Sequence, residues 1–141
     1  MATYNTIRLI DYSYKFKEFV AGETLYPGMH LERNSSGQAV LSTEGATDPQ
    51  IMFAFERELL GEGMETEIAS DERFQAWFPA RGDEVYTLLA DEENVVVGDK
   101  LAPDGAGHMQ AAATNTPVAV ALEALDLTGV GEAERIRAEV L

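Results

Sequence analysis

Short alternating runs of apolar and polar residues, separated by glycine and proline, extend along most of the chain. Tyr12, Tyr14 and Phe16 alternate with polar residues, which places them on one face of an extended strand. Twelve glycines and five prolines cut the sequence into short pieces. This punctuation favours many short strands over long helices.

The middle of the chain predicts paired strands. Residues 29–33, "MHLER", and 38–42, "QAVLS", flank the tight turn "NSSG" as a hairpin would. Residues 73–79 and 84–89 read as two further strands joined around a glycine turn. Just before the first hairpin, Pro27-Gly28 suits the centre of a type II turn.

Residues 51–60, "IMFAFERELL", leave two interpretations open. Ile51, Phe53 and Phe55 alternate as in a strand, whereas Glu56 to Leu60 could form one helical turn.

The last 25 residues, "PVAVALEALDLTGVGEAERIRAEVL", are also ambiguous. Ile136, Ala138 and Val140 alternate with charged residues, which favours a strand. Ala133, Ile136 and Val140 also fall at helical spacing, and Ala and Glu favour a helix. Periodicity alone leaves both interpretations open.

Two segments echo each other. "VAGETLYPG…SSGQAV" and "VVGDKLAPDGAGHMQAA" share an apolar run, Gly-acid-x-Leu, a turn and a short strand. Two similar units suggest a folded-over sheet or a small barrel, although Gly-acid turns are common enough for such an echo to arise by chance.

Length and composition indicate one globular domain of 141 residues with 45% apolar content. The absence of cysteine excludes disulfides and thiolate chemistry. No apolar run is long enough for a membrane-spanning helix, and the first residues lack a signal-peptide pattern, so we expect an intracellular product without a membrane partner.

The net charge of −15 is unevenly distributed. Residues 1–40 hold four acidic and four basic residues, whereas residues 41–76 hold nine and two. Because phosphate binding needs clustered Lys and Arg, the sequence predicts no direct nucleic-acid partner.

The sequence contains no recognisable catalytic, cofactor or metal motif. His30 and His108 are isolated, there is no Gly-x-Ser-x-Gly, and the glycines do not spell a nucleotide loop. The acidic segments 65–72 and 91–94 lack EF-hand spacing. We therefore expect a non-enzymatic protein without a cofactor. A small β-barrel enzyme or carbohydrate-binding module is the alternative, and it would be favoured by clustering of Asp83, Asp91 and Asp99.

The N-terminal residues are the candidate contact surface. An apolar terminal segment can extend and add a strand to another chain's sheet; packing in the chain's own core is the other interpretation. We predict an extended arm over residues 1–15 and a single β domain over residues 16–141. The candidate contact residues are Tyr4, Ile7, Leu9, Tyr12 and Tyr14.

The order "FPARGDEVYTLLADEENVVVGDKLAPDGAGHMQAAA", "PVAVALEALD", a glycine loop and "RIRAEVL" resembles the capsid decoration, or head-stabilising, proteins of tailed viruses. "FVAGETLYPGMHLERNSSGQAV" joins the resemblance in the first half. It covers roughly residues 16–141 in order of elements, and residues 44–72 carry little of it. The motifs are short.

The resemblance implies an all-β protein, without catalysis, on the exterior of a capsid in the virion. Its partners would be the major capsid protein and further copies of itself, often as a trimer, and an N-terminal arm would reach onto the capsid. It also implies a closing β-hairpin of residues 117–124 with residues 134–141. Another virion component, such as a head spike, turret or tail-tube protein, is the alternative.

The expected fold is therefore a compact small barrel or a folded-over antiparallel sheet. It would carry the extended N-terminal arm and at most one short helix.

Overall fold

The computed structural model describes residues 4–10 and 15–141, and it confirms the predicted all-β fold. Within those residues, β-strands are accompanied by one turn of 3-10 helix, Glu58–Leu60. None of the described helices is long and apolar enough to cross a membrane. The strands are β1 (Arg8–Ile10), β2 (Phe16–Val20), β3 (Leu31–Arg33), β4 (Ala39–Leu41), β5 (Phe53–Ala54), β6 (Arg73–Trp77), β7 (Glu84–Leu89), β8 (Asn94–Val95), β9 (Lys100–Pro103), β10 (Met109–Ala111), β11 (Ala119–Ala121), β12 (Leu125–Asp126) and β13 (Glu134–Val140).

Five strands of the second half close into a barrel, here called the C-terminal barrel. Its cyclic order is β7-β10-β9-β11-β13, and β13 pairs back onto β7. The closing ladder is antiparallel and runs from Glu134 opposite Leu89 to Glu139 opposite Glu84. β7 and β10 meet in parallel. Closure leaves no unpaired edge among these five strands.

Five strands of the first half follow the same cyclic order and form the N-terminal barrel. β2, β6 and β5 form one sheet, and β3 pairs with β4. Single bridges complete the ring: His30 pairs with Phe53, and Ala21 pairs in parallel with Ala39. The parallel bridge between Ala21 and Ala39 corresponds to the parallel β7–β10 pairing of the C-terminal barrel. The two barrels therefore share one topology.

The hairpins β3–β4 and β9–β10 show the correspondence most directly, since they lie 70 residues apart and pair in the same register. In the first turn, the Asn34 Oδ1 atom accepts hydrogen bonds from the N–H groups of Ser36 and Gln38. In the second, the Asp104 Oδ1 atom accepts from residues 106 and 108. The two similar sequence segments are therefore a structural repeat. The 70-residue offset makes Gly98 the equivalent of Gly28, and not of Gly22.

Two clusters of buried side chains fill the molecule. One lies inside the N-terminal barrel around Leu31 and Phe74, and the other inside the C-terminal barrel around Leu101 and Ile136. Phe53, Phe55 and Trp77 lie in the first half of the chain but pack with the second cluster. The outer aromatic face of the N-terminal barrel therefore joins the two barrels.

The predicted closing hairpin is confirmed, because β11 pairs antiparallel with β13, with Ala119 opposite Val140. Residues 51–60 contain both predicted alternatives in sequence, a two-residue strand and then the 3-10 turn. The strands predicted at 73–79 and 84–89 are present but belong to different barrels.

Residues 4–10 lie on the C-terminal barrel instead of projecting from it as an extended arm, and only the part that forms β1 is a strand. β1 pairs antiparallel with β7. The side chain of Ile7 is fully buried, and its carbonyl oxygen accepts a 2.7 Å hydrogen bond from the Tyr86 N–H. The boundary of the predicted arm at residue 15 stays a prediction.

Candidate interaction surfaces

The structure places the predicted contact residues along β1 and the segment before it. Tyr4 is half-buried and packs edge-to-face on Tyr86, with ring centroids 5.1 Å apart. Ile7 belongs to the core, and Leu9 is half-buried. Tyr12 and Tyr14 lie outside the described residues. Of the described part of the segment, Ile10 is the large apolar residue that is exposed.

Arg135 on β13 holds the two barrels together. Its side chain is only 9% exposed. The guanidinium donates hydrogen bonds to the carbonyl oxygens of Pro27 and Met64, at 2.8 and 2.9 Å, and more loosely to that of Tyr86. A guanidinium suits this role because it is planar and presents several donors. One side chain of the C-terminal barrel thus binds two loops of the N-terminal barrel.

One of the two loops that Arg135 binds is a tight turn at residues 26–29, here called the junction turn. Met29 N–H donates to the Tyr26 carbonyl, and Gly28 has φ +90°, as the predicted type II turn requires. A Cβ atom on Gly28 would lie 2.5 Å from Arg135 Nη1. The Thr87 hydroxyl donates a 2.7 Å hydrogen bond to the Gly28 carbonyl. Glycine is needed here for both its φ angle and the close approach.

The position equivalent to the junction turn in the C-terminal barrel is residues 96–99, here called the outer turn. Asp99 N–H donates to the Val96 carbonyl at 3.1 Å, matching the 3.2 Å bond of the junction turn, and Gly98 has φ +95°. Val96 and Val97 are 57% and 65% exposed. A Cβ atom on Gly98 would meet nothing within 4 Å. The same turn is therefore built twice, and only the first copy is covered.

The residue equivalent to Arg135 is Arg73 on β6. Arg73 lies opposite Val20 in its ladder, as Arg135 lies opposite Leu88. Its side chain is 74% exposed and forms an ion pair with Glu18 at 2.8 Å, which is also exposed. Exposed ion pairs of this kind contribute little to stability.

Beside Arg73 lies a groove of about 240 Å³, here called the receiving groove. Its lining combines apolar, acidic, basic and amide side chains: Leu59, Leu60 and Phe74; Glu18, Glu56 and Glu58; Arg57 and Arg73; and Gln75. Leu59 and Leu60 project from the 3-10 turn and are strongly exposed.

Arg57 fixes the base of this 3-10 turn. It forms ion pairs with Glu62 at 2.7 Å and with Glu72 at 3.2 Å. Burial alone would lower the pKa of Arg57, but the hydrogen bonds and charge interactions that its guanidinium makes with Glu62 and Glu72 together outweigh burial and raise the pKa. Hydrogen bonding from Arg57 in turn lowers the pKa of Glu72. The exposed leucines are therefore presented by an anchored segment.

The histidines do not meet in the structure. His30 is buried, its ring packs edge-to-face on Phe53, and its Nδ1 atom is hydrogen-bonded to the Ser42 hydroxyl. Burial lowers the pKa of His30 to about 4, and the backbone of Gln50 opposes this only in part. The His30 Nε2 atom has no hydrogen-bond partner. His108 lies instead in the second hairpin turn, 3.5 Å from Asp104.

The three aspartates considered for an alternative enzyme site each serve a different turn. Asp83 accepts from the Ala80 N–H, Asp91 from Gly131 and Asp99 from Val96. This dispersal counts against a shared carboxylate site. Among the described residues, no group of three or more metal-ligating side chains comes together.

No family model matches this chain, and neither does any curated protein. Its surfaces therefore have to be interpreted from their own chemistry. Sequence reasoning missed Arg135, the receiving groove and the outer turn. The similarity between the two sequence segments could have revealed both turns if Gly28 had been aligned with Gly98.

Proposed function

We propose that this protein is a non-enzymatic structural protein of a virion. It binds the exterior of an assembled capsid as an oligomer and stabilises contacts between major capsid subunits. The observation that carries the proposal is a two-barrel body with exposed apolar side chains in separate places: Ile10, the Leu59–Leu60 turn and the outer turn. The resemblance in segment order supports the capsid as partner.

Separate apolar features suit a protein that contacts both its own copies and another protein. Adjacent exposed apolar side chains, as in the Leu59–Leu60 turn and the outer turn, can form patches of the kind that mark protein contacts. Each contact can be weak, because many copies on one shell add their contacts together. The high net charge keeps unbound copies soluble.

The capsid contact is assigned to the face of β1, where Tyr4 and Leu9 are half-buried and Ile10 is exposed. Ile7 serves the core and is not assigned to the contact. A closed trimer, as the resemblance implies, would present three such faces toward the shell.

The test is co-sedimentation with assembled shells of a major capsid protein from the genome that encodes this chain, compared with the unassembled subunits of that capsid protein. We expect the protein to sediment with shells only. Ile10→Asp should weaken this binding, whereas Val130→Asp, an equally exposed valine elsewhere, should not. A protein that ignores intact shells would overturn the proposal. Cryo-microscopy density at a spike, turret or tail tube would move it to another virion component.

A further inference from the structure

The contact between the two barrels includes a turn and an arginine, and both of these occur a second time on the surface. The junction turn binds Arg135 inside the chain. Its equivalent, the outer turn, and the equivalent of Arg135, Arg73, are both exposed. Their exposure shows that one chain does not bring its own outer turn and Arg73 together as it does the junction pair.

We propose that copies of this chain associate head to tail, with the outer turn of one copy docked in the receiving groove of the next. The occupant of the groove is thus a second copy of this chain. The inference deepens the oligomeric part of the proposed function and rests on it.

The chemistry of the two surfaces is complementary. In the junction, the Arg135 Nη1 atom binds the carbonyl oxygen of Pro27. The carbonyl at the equivalent position of the outer turn belongs to Val97, and Arg73 supplies the equivalent guanidinium. Val96 and Val97 bring apolar surface, which Leu59 and Leu60 at the groove match.

Arg73 can exchange its partner at little cost. Both side chains of its ion pair with Glu18 are exposed, and exposed pairs of this kind contribute little to stability. Docking of a neighbour would cover the guanidinium and strengthen its hydrogen bonds, as burial does for Arg135.

The repeated contact is weaker than the original, because one part of it does not repeat. Phe53 and Trp77, which pack against the C-terminal barrel, have Val120 and Glu139 as their equivalents. The second contact therefore lacks the aromatic face of the first. The net charge of −15 also makes copies repel each other. We expect self-association to be weak at low salt and stronger at high salt, since salt screens the repulsion.

Such a contact is heterologous, because a turn on one copy meets a groove on the other. Heterologous contacts generate rings when the rotation between copies closes and open filaments when it does not. A closed trimer would be a ring of six barrels, with three internal junctions and three contacts between chains.

The first test is sedimentation velocity on the full chain over a concentration series at high salt. We expect reversible association, weakened roughly tenfold or more by Val97→Asp and by Arg73→Ala. Val130→Asp is the matched control and should associate like the parent. All variants should keep the parent's melting temperature. A chain that stays monomeric throughout, or a Val97→Asp variant that associates like the parent, would overturn the inference.

The second test distinguishes head-to-tail from symmetric contacts. Val97→Asp copies keep an intact groove, and Arg73→Ala copies keep an intact outer turn. Mixed together, the two variants should form dimers that neither forms alone, and these dimers should not grow further. The absence of mixed dimers would contradict a head-to-tail contact.

Neither test uses capsids, so the two proposals fail separately. Shell binding by a strictly monomeric chain would refute the head-to-tail contact and the oligomeric part of the proposed function, and it would leave the capsid role intact. Head-to-tail association of a chain that ignores shells would refute the capsid role alone.

Discussion

The N-terminal and C-terminal barrels have the same strand order and the same turns, yet equivalent residues have different environments. Arg135 is nearly buried and binds backbone carbonyls of the other barrel, whereas Arg73 is exposed beside Glu18. His30 is buried at the junction, and its equivalent, Lys100, is exposed. The position in the barrel does not decide these environments; the neighbouring barrel does. Comparison of equivalent residues therefore separates the side chains that the barrel fold requires from those that the contact between the barrels requires.

The largest effect should come from a charge inside either core. Ile136→Asp and Phe74→Asp occupy equivalent inward positions, and each would bury an unpaired carboxylate at a cost of several kcal/mol, on the order of 4 or more. Because Trp77 and Phe53 join the two cores, we expect either variant to unfold both barrels. Thermal unfolding followed by circular dichroism and by Trp77 fluorescence measures this. A variant that keeps one barrel with its own transition would show that the barrels fold independently.

The next effect compares the two turn glycines. Gly28→Ala and Gly98→Ala carry the same strain from a positive φ angle, about 1 kcal/mol. Only the Gly28 variant also meets Arg135 Nη1 at 2.5 Å and the Tyr86 carbonyl at 2.7 Å. We expect it to lose about 1–3 kcal/mol more than the Gly98 variant in urea unfolding. Equal losses would mean that the junction is loosely packed.

The two arginines should differ by a similar or smaller amount. Arg135→Ala leaves the carbonyls of Pro27 and Met64 without their donor, and we expect a loss of about 2 kcal/mol in the free energy of unfolding. Arg73→Ala removes one exposed ion pair, and its loss should stay below about 0.5 kcal/mol. Arg135→Lys keeps the positive charge but not the planar guanidinium, and we expect it to recover only part of the unfolding free energy that Arg135→Ala loses. Matching results for the two alanine variants would refute the assigned role of Arg135.

The smallest effect depends on pH and concerns His30. In the unfolded chain this histidine binds a proton below its ordinary pKa of 6.5, but in the folded protein it stays neutral down to about pH 4. The unfolded state therefore binds more protons in this window, and the free energy of unfolding falls as the pH falls through it. We expect a loss of roughly 1–2 kcal/mol between pH 6.5 and pH 5. His30→Gln should remove this part of the pH dependence in urea titrations; an unchanged profile would assign it to other groups.

The strands were predictable where the turn chemistry was explicit. The "NSSG" turn fixed the first hairpin through the side chain of Asn34, and the alternation around Ile136 identified β13 once a partner strand was assumed. The position of residues 4–10 was not predictable, because alternation of apolar and polar residues identifies a strand but not the strand with which it pairs. The burial of Ile7 depends on β7, which lies more than 70 residues further along the chain.

The junction and the groove were not predictable from single positions. Arg73 and Arg135 follow similar sequence patterns, and Arg135 is buried only because the neighbouring barrel packs against it. Leu59 and Leu60 were predicted only as part of one helical turn, and both are exposed in the structure. Arg57 fixes this turn through ion pairs with Glu62 and Glu72, and the apolar pattern of the sequence does not reveal these pairs.

The arrangement of β1, β7 and β13 has a mechanical consequence. β1 and β13 both run antiparallel to β7, so they run parallel to each other on its two sides. Tension applied before β1 and after β13 pulls the two strands in opposite directions along β7. The load is shear in both pairings: it passes from β1 to β7 across two residue pairs and from β7 to β13 across six. The pairs of each ladder resist such a pull together instead of opening one after another, and the shorter β1–β7 pairing is the part of the path with the fewest pairs.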